Sequence, residues 1–405
     1  MNSSDPIAAL EIGTSRTVIA IGEPLGNGRI KVVAISSIPS TGVRKSQIVD
    51  IAQARYSIES VLKRLSDQSD YSIGQAYLAV SGPQISTLLV KAQCPVDGGI
   101  VHEAELAEVE ERSYNTGLSS DRFPIELSPI SYELDDIKGI TSPKGMSGHL
   151  LTLNSLCVHG SAQRINDARS AARAAKLELP EVAFAGSCAA AAVLTAQQKK
   201  DGALVIDLGG GSTAYSMWVD ERHMQAGVVG VGGDHITNDI RIAFSLSLNQ
   251  AEQLKTTDAS AVISADDATR RIAVPNPMPG FKAASISRRA LNTVVNARLQ
   301  ELFTIIRARL DEGNLLHRLN AGIFLTGGGA AMAGVVELAA AVFGCGVRVG
   351  RLLPEIEGLE NAPHPEADAV PAGLLLLAQQ QNPPEPSVFR SFTDLLKKFF
   401  GLSRK

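Results

Sequence analysis

The feature of this sequence that most constrains its fold is a motif that occurs twice, about half a chain apart. Residues 11–15 read Glu-Ile-Gly-Thr-Ser, and residues 207–213 read Asp-Leu-Gly-Gly-Gly-Ser-Thr, in a chain of 405 residues. Each copy follows an apolar strand, begins with a carboxylate, continues with an aliphatic residue and glycine, and leads into a second strand. Two copies of one strand–turn–strand unit predict a duplicated α/β domain.

Turns of this composition are suited to binding phosphate groups. Glycine lets the backbone approach a phosphate closely, and consecutive amides in a tight turn form a nest for an anion. Hydroxyl side chains add further hydrogen bonds. The residues expected to contact phosphate groups are Gly13, Thr14, Ser15 and Arg16 in the first loop and Gly209, Gly210, Gly211, Ser212 and Thr213 in the second. Either turn alone is equally consistent with an ordinary hairpin, and it is the duplication that favours a phosphate site.

The carboxylates that open the two loops predict a cation. Glu11 and Asp207 would face the phosphates, which is unfavourable unless a positive ion lies between them. Mg²⁺, held partly through water, meets this need because it prefers oxygen ligands and keeps several of its waters. Arg16 is expected to neutralise a terminal phosphate.

Three later segments extend the predicted site. Gly232 and Gly233 continue the second unit and are expected to form a wall of the phosphate site. Glu252 and Lys255 are three residues apart on one helix face, where they either grip a ribose or form a surface ion pair. A strand at 321–326 ends in a glycine run that suits a flat base or sugar against the backbone. The glycines of this run are Gly327, Gly328 and Gly329.

Composition and charge exclude several other classes of protein. The formal net charge of −4 argues against a nucleic-acid-binding protein, which would show a basic excess. The four cysteines are scattered without a CxxC pair, which argues against a zinc site and fits a reducing compartment. The start of the chain lacks the basic and apolar regions of a signal peptide. No apolar stretch reaches the length of a membrane-spanning helix.

The last 18 residues differ from the rest of the chain. Residues 388–405 carry five basic residues and one acidic residue, and four of the chain's few aromatic residues fall among them. On a helical wheel, one arc holds the large apolar side chains, and Lys397 and Lys398 lie opposite. That apolar arc consists of Phe389, Phe392, Leu395, Leu396, Phe399, Phe400 and Leu402. A basic, Phe-rich helix behind a Pro-rich tether predicts an anchor to a membrane surface. The alternative is a helix that docks on its own body or on a partner.

Order and spacing of these motifs resemble the actin/Hsp70/sugar-kinase superfamily. In that superfamily two ribonuclease-H-like domains clamp ATP and Mg²⁺ between them, which implies an α/β, actin-like fold here. Residues 184–195 and 368–378 correspond to the two connecting helices, and residues 325–330 correspond to the adenosine loop. The resemblance covers residues 7–378.

Within the superfamily the sequence is similar to the FtsA family of bacterial cell-division proteins. The resemblance is carried by Leu-Glu-Ile-Gly-Thr at 10–14, Tyr-Leu-Ala-Val-Ser-Gly at 77–82, Phe-Ala-Gly at 184–186 and Ala-Gly-Ile-Phe-Leu-Thr-Gly-Gly at 321–328. It implies an inserted 1C subdomain in place of the actin 1B insertion. The implied organisation is subdomain 1A at 1–82, 1C at 83–163, a return to 1A at 164–198, 2A at 199–229, 2B at 230–300, a return through 2A and 1A at 301–377, a linker at 378–387 and an amphipathic helix at 388–405.

The resemblance also implies a function. Such a protein would bind ATP and Mg²⁺, polymerise with itself, bind membrane lipids through its terminal helix, and anchor the FtsZ ring to the cytoplasmic face of the inner membrane at the septum. It would help to recruit later divisome proteins, with FtsZ docking on subdomain 2B. No nucleic-acid partner is expected.

One departure from the sequence pattern of the superfamily predicts slow ATP hydrolysis. Hsp70-like and MreB-like members carry Glu-Pro where this chain has Ala185-Gly186, and that Glu helps to orient the attacking water. Because general-base assistance is worth about 10²–10⁴ in rate, hydrolysis is expected to be slow and ATP to act mainly as a structural ligand.

Two alternatives remain open from the sequence. A PilM-like pilus-assembly adaptor shares the fold but lacks an amphipathic tail. A small-molecule kinase of the same superfamily needs a catalytic Asp in the cleft, and none stands at a matching position.

Overall fold

The computed structural model of the chain describes residues 6–114, 117–275 and 285–381. The predictions made for the terminal helix at 388–405 therefore lie outside the described residues. Within the described part of the chain, no helix combines the length and apolar character needed to cross a membrane.

The helices and strands follow one another in an α/β order. In the first half they are β1 Ile7–Ile12, β2 Arg16–Gly26, β3 Arg29–Pro39, β4 Val43–Arg44, β5 Gln47–Ile48, α1 Ile51–Ser66, β6 Tyr77–Val80, β7 Ser86–Pro95, α2 Glu103–Tyr114, β8 Arg122–Leu134, β9 Ile137–Ile140, β10 Leu150–Ser161, α3 Ala162–Ala174, β11 Val182–Phe184, α4 Ala185–Val193 and α5 Ala196–Asp201. In the second half they are β12 Ala203–Leu208, β13 Thr213–Val219, β14 Arg222–Val229, α6 Gly233–Phe244, α7 Leu248–Thr257, β15 Arg271–Ala273, β16 Ser285–Ser287, α8 Arg288–Glu312, β17 Gly322–Thr326, α9 Val335–Phe343, β18 Val347–Val349, β19 Ile356–Glu357 and α10 Ala369–Gln381.

The two large sheets have the same topology. The first runs β11-β6-β1-β2-β3-β19 and the second β14-β13-β12-β17-β18. Each contains three antiparallel strands followed by two parallel ones, with β1 and β12 in third place, and the first sheet has in addition β19, which pairs in parallel with β3 at its other edge. This confirms the duplicated α/β domain predicted from the repeated motif, and it agrees with the actin-like fold that the family resemblance implies.

Two helices of small residues pack between the sheets. Helix α4 is almost entirely buried, and it contacts α10 along its length. A Cβ at Gly373 of α10 would overlap the carbonyl of Cys188 of α4, so only glycine permits this close approach. The core around the two helices includes Ala9 and Ala20 of the first sheet and Val205 of the second. This pair of helices joins the two domains.

The segment between β6 and α3 forms an inserted subdomain. Its sheet runs β7-β10-β8-β9 and packs against α2 around a small core of its own. The subdomain lies against β14 of the second domain, where the Arg222 guanidinium donates to the Ile130 carbonyl at 2.5 Å.

Two predicted boundaries fall inside helices. Helix α8 is continuous from Arg288 to Glu312 and crosses the predicted limit of subdomain 2B at 300. Helix α10 continues to Gln381, so that the predicted linker cannot begin at 378. An unbroken helix has no place for a flexible connection, and both limits must move.

Candidate functional site

The two glycine loops are hairpin turns of equal geometry. The Gly13 amide donates to the Arg16 carbonyl at 3.0 Å, and the Gly209 amide donates to the Ser212 carbonyl at 3.1 Å. A Cβ at Gly13 would lie 2.9 Å from the Arg16 carbonyl oxygen, and a Cβ at Gly209 would lie 2.7 Å from the Ser212 carbonyl oxygen. Glycine is therefore required by the turn itself at both positions, and the sequence repeat is also a structural repeat.

Glu11 and Asp207 occupy equivalent places in the two sheets. Glu11 on β1 pairs with strands β2 and β6, and Asp207 on β12 pairs with β13 and β17 in the same register. Burial raises the pKa of Glu11 to about 7; Arg16 opposes this shift, and the negative charge of Asp207 adds to it. Burial also raises the pKa of Asp207 to about 6, against a hydrogen bond from Thr326 and the charge of Arg16. Two half-buried carboxylates whose charged forms are disfavoured form a place where a cation is favourable.

The structure offers few further protein ligands for a cation. The Thr326 hydroxyl donates to Asp207 Oδ1 at 3.2 Å. Among residues 6–114, 117–275 and 285–381, no group of three or more His, Cys, Asp or Glu side chains is arranged to hold a metal ion. Glu11 and Asp207 suit a hard cation that keeps most of its water, which is the behaviour of Mg²⁺.

Arg16 is engaged with the second connecting helix. Its guanidinium lies 2.7 Å from Asp368 Oδ1 and donates to the Ala367 carbonyl at 2.5 Å. The side chain expected to neutralise a phosphate is thus paired with the start of α10. The ion pair between Arg16 and Asp368 thereby connects the first loop to the residues that lead into α10.

The second loop is supported from behind by the start of α6. The amides of Gly233 and Asp234 donate to the carbonyls of Gly209 and Gly210 at 3.0 and 2.8 Å. A Cβ at Gly232 would lie 2.5 Å from the Gly209 carbonyl oxygen, so glycine is needed for this contact. The backbone of Gly232 and Gly233 therefore supports the second loop, and their predicted role as a wall of the phosphate site remains a prediction.

Hydroxyl groups of the two loops have different surroundings. Thr213 is fully buried and donates to the Val231 carbonyl at 2.8 Å, so its hydroxyl is committed to the protein. Ser15 is exposed, and Thr14 and Ser212 both lie close to Ser46. The predicted contacts of Thr14, Ser15 and Ser212 with a phosphate group remain predictions.

Lys255 connects α7 to the start of α6. Its ammonium donates to Thr237 Oγ1 at 2.9 Å, to Glu252 Oε2 at 2.7 Å and to the Gly233 carbonyl at 3.3 Å. The Lys255 side chain is only 11% exposed, whereas that of Glu252 is 48% exposed. The pair holds Gly233 in place beside the second loop, and its predicted contact with a ribose remains a prediction.

The glycine run after β17 lies beside the second loop. Gly327 has φ +78°, and a Cβ there would lie 2.7 Å from Asp207 Oδ1. A Cβ at Gly329 would lie 2.7 Å from the Cβ of Leu208, whereas one at Gly328 would meet open space. The backbone of this run therefore borders Asp207 closely and presents Gly328 outward.

Two groups of residues were missed by the sequence prediction. Ser46, in the turn between β4 and β5, bridges the two loops. Glu126 of the inserted subdomain and His223 of β14 form a buried pair. The hairpin of residues 43–48 is too short to give a strand pattern, and the buried pair joins residues far apart in sequence, so neither leaves a local signal.

A groove of about 370 Å³ lies between α6 and α8, in the region predicted as subdomain 2B. Ile242, which is 62% exposed, stands in it. Arg298 holds both oxygens of Asp239 at 2.6 and 3.1 Å and Glu301 at 2.5 Å along its rim. An exposed apolar surface with a charged rim is suited to a peptide partner.

Comparison with known proteins identifies two family matches. The model of the cell division protein FtsA matches residues 204–367, and the model of the SHS2 domain inserted in FtsA matches residues 82–159. The chain is 28% identical over 382 residues to the cell division protein FtsA of Pseudomonas aeruginosa, covering 94% of this chain and 91% of the relative. It is 27% identical over 383 residues to FtsA of Escherichia coli K12, covering 91% and 89%.

Solved structures share the fold at low sequence identity. A PilM–PilN type IV pilus biogenesis complex aligns with a TM-score of 0.65 at 16% identity, covering 94% of this chain and 99% of the other. MreB5 of Spiroplasma citri bound to ADP aligns with a TM-score of 0.54 at 14% identity, covering 98% and 99%. Both likenesses concern the actin-like fold alone.

Proposed function

Because the chain belongs to the FtsA family of bacterial cell-division proteins, we propose that it binds ATP with Mg²⁺ between its two domains and works as an actin-like division protein. The observation that carries the proposal is the pair of equivalent glycine loops, each opened by a half-buried carboxylate near the end of a central strand. The name of MreB5 bound to ADP supports a nucleotide ligand for this fold.

The residues of the two loops divide the binding between them. Gly13 and Gly209 permit the two tight turns, and the hydroxyls of Thr14 and Ser212 would donate to phosphate oxygens. The ribose and base lie along the glycine run at 327–329. Arg16 exchanges part of its contact with Asp368 for a phosphate, which would connect ligand binding to α10.

Glu11 and Asp207 fit a Mg²⁺ ion. Both are carboxylates whose ionisation is disfavoured where they lie, so a divalent cation would stabilise their charged forms. When bound, Mg²⁺ supplies neutralisation of phosphate charge. The two side chains would hold it through water.

Hydrolysis is slow in this proposal. Ala185 and Gly186 begin α4 where Hsp70-like and MreB-like members of the superfamily carry Glu-Pro, and neither can polarise a water molecule. ATP then serves mainly to hold the two domains together.

The proposed place of action is the cytoplasmic face of the inner membrane at the septum. The chain would polymerise with itself, anchor FtsZ and help to recruit later divisome proteins, with residues 388–405 binding lipid. FtsZ would dock in the groove between α6 and α8, whose exposed Ile242 offers an apolar contact. The basic terminal segment favours this function over that of a PilM-like adaptor.

The test compares MgATP binding by wild type, Gly209→Ala and Gly74→Ala using calorimetry. The added methyl at 209 would lie 2.7 Å from the Ser212 carbonyl, whereas one at 74 meets nothing within 4 Å. We expect wild type and Gly74→Ala to bind alike and Gly209→Ala to bind at least 10-fold more weakly. Failure of the folded wild type to bind MgATP would contradict the proposal.

A further inference from the structure

The turn between β4 and β5 contacts both glycine loops. Ser46 donates its backbone N–H to Thr14 Oγ1 at 2.7 Å, and its own Oγ lies 3.1 Å from Ser212 Oγ and 3.5 Å from Thr14 Oγ1. Thr14 belongs to the first domain's loop and Ser212 to the second's. A chain of three hydroxyl groups therefore joins the two domains across the candidate ligand site.

The backbone of this turn is held in a conformation that its residues do not favour. Lys45 and Ser46 have φ values of 49° and 55°, in the left-handed region that Asn and Gly usually occupy in two-residue hairpins. Such strain persists where the surroundings fix it. The side-chain amide of Gln47 donates to Gln84 at 3.0 Å, and Ile48 is buried in the core. The first domain thus holds Ser46 firmly in place.

The two loops touch each other at this point. A Cβ at Gly211 would overlap Thr14 Oγ1 and would lie 2.8 Å from the Cα of Lys45. A phosphate group can enter between Thr14 and Ser212 only if the loops separate and the Ser46–Ser212 hydrogen bond breaks. Ser212 is 4% exposed while the loops are in contact. Once its hydrogen bond to Ser46 is broken, its hydroxyl needs a new partner, which a phosphate oxygen supplies.

The position of Ser46 determines which phosphate group of a bound nucleotide would contact it. The glycine run at 327–329 borders Asp207 and Leu208 at the end of β12, whereas Ser46 contacts Thr14 within the first loop and Ser212, the last residue of the second loop before β13. A ligand whose base lies along the glycine run therefore reaches Ser46 with its outermost phosphate.

We propose that Ser46 is a third contact of the phosphate site, whose hydroxyl joins the two loops in the free protein and transfers to the outermost phosphate of a bound nucleotide. Ser46 thereby distinguishes a nucleoside triphosphate from a diphosphate. This inference rests on the proposed function, because it requires a nucleotide between the loops.

The experiment measures the affinities of Ser46→Ala and Ser46→Gly for the Mg²⁺ complexes of ATP, a non-hydrolysable ATP analogue and ADP. Both variants remove the hydroxyl, and glycine also relieves the left-handed backbone. The matched control is Thr41→Ala in the same connection, because the Thr41 hydroxyl contacts Ser57 and the Gln53 carbonyl of α1. We expect both Ser46 variants to bind the triphosphates about 5- to 20-fold more weakly, since a hydrogen bond to a charged group is lost. Their affinity for ADP should change less than about twofold, and the control should match wild type.

A second measurement uses the free protein. Hydrogen exchange at the Ser212 and Thr213 amides should be faster in Ser46→Ala than in wild type and Thr41→Ala, because the link between the loops is gone. An unchanged preference for triphosphate over diphosphate in both Ser46 variants, or unchanged exchange, would overturn the inference and leave the proposed function intact. A wild type that binds neither nucleotide would overturn both.

Discussion

Glu126 Oε1 lies 2.7 Å from Nδ1 of His223, and this pair joins the inserted subdomain to the second domain. His223 is fully buried, and its Nε2 lies 2.9 Å from Ser216 Oγ, which also accepts from the Trp218 indole at 2.8 Å. The Ser187 hydroxyl of α4 donates to Glu126 Oε2 at 2.6 Å. One carboxylate thus contacts three parts of the fold, and the insertion cannot move independently of the connecting helix without breaking these bonds.

Replacing Glu126 by Gln should destabilise the protein strongly. The change leaves His223 buried without its anionic partner, and removal of one member of a buried pair costs about 3–5 kcal/mol. The free energy of unfolding, measured by denaturant titration, reports the loss. The control is Glu133→Gln on the same strand, whose partner Lys91 is half exposed, and its loss should be much smaller. Equal losses in the two variants would contradict a special role for the pair.

Glu126 should also give the protein a specific sensitivity to acid. Burial opposes its ionisation, but its interaction with His223 and hydrogen bonds from His223, Ser187 and Ser128 outweigh burial and lower the pKa to about 2. Because the pKa is lower in the folded state than in the unfolded state, this stabilisation is complete above pH ~4.5 and is lost as the pH falls towards 2, by roughly 3 kcal/mol in total. Unfolding free energies measured from pH 6 to pH 2 should fall less steeply for Glu126→Gln than for wild type. Parallel curves would show that another group controls the acid response.

The parts of the fold that the sequence predicted are those that leave a local pattern. An Asn-Gly pair between two strands is such a pattern, and the turn at Asn27-Gly28 between β2 and β3 has φ values of 50° and 74°, which these two residue types favour. The loops at Glu11 and Asp207 were found for a similar reason, since each is a contiguous string that is repeated.

The remaining features depend on tertiary contacts. Ser46 meets Thr14 from 32 residues away, and Glu126 meets His223 from 97 residues away. The sequence around Ser46 or His223 contains no pattern that indicates which residue it contacts. Lys255 was noticed through its helical spacing to Glu252, but its position against Gly233 follows from how α7 packs on α6.

Ile242→Glu should weaken FtsZ binding if the groove between α6 and α8 is the docking site. A carboxylate there would place charge on the apolar floor beside Asp239 and Glu301, which repel it and disfavour an apolar side chain of the partner. We expect at least a 10-fold loss of affinity in a fluorescence titration with FtsZ. The control is Leu248→Glu on α7, which is 58% exposed and does not line the groove. Equal loss in both variants, or none in Ile242→Glu, would remove the groove as the docking site.

A chain that ends at Ser387 should fail to bind anionic membranes. Residues 388–405 hold seven large apolar side chains on one arc and a net charge of +4. Burial of such side chains at the interface contributes the main attraction, and each basic residue near an anionic leaflet adds about 1 kcal/mol. In a flotation assay with vesicles containing phosphatidylglycerol, the full chain should float and the shortened chain should stay at the bottom.

Two comparisons separate charge from apolar contact in this assay. Lys397→Glu with Lys398→Glu should reduce flotation most at low salt, because the lost attraction is screened within about 10 Å at 0.1 M salt. Phe399→Ser with Phe400→Ser should reduce it at every salt concentration, since apolar burial does not depend on screening. Because the acidic remainder of the chain carries −8, we expect an anionic surface to repel it. Equal flotation of the full and shortened chains would exclude the segment as the anchor.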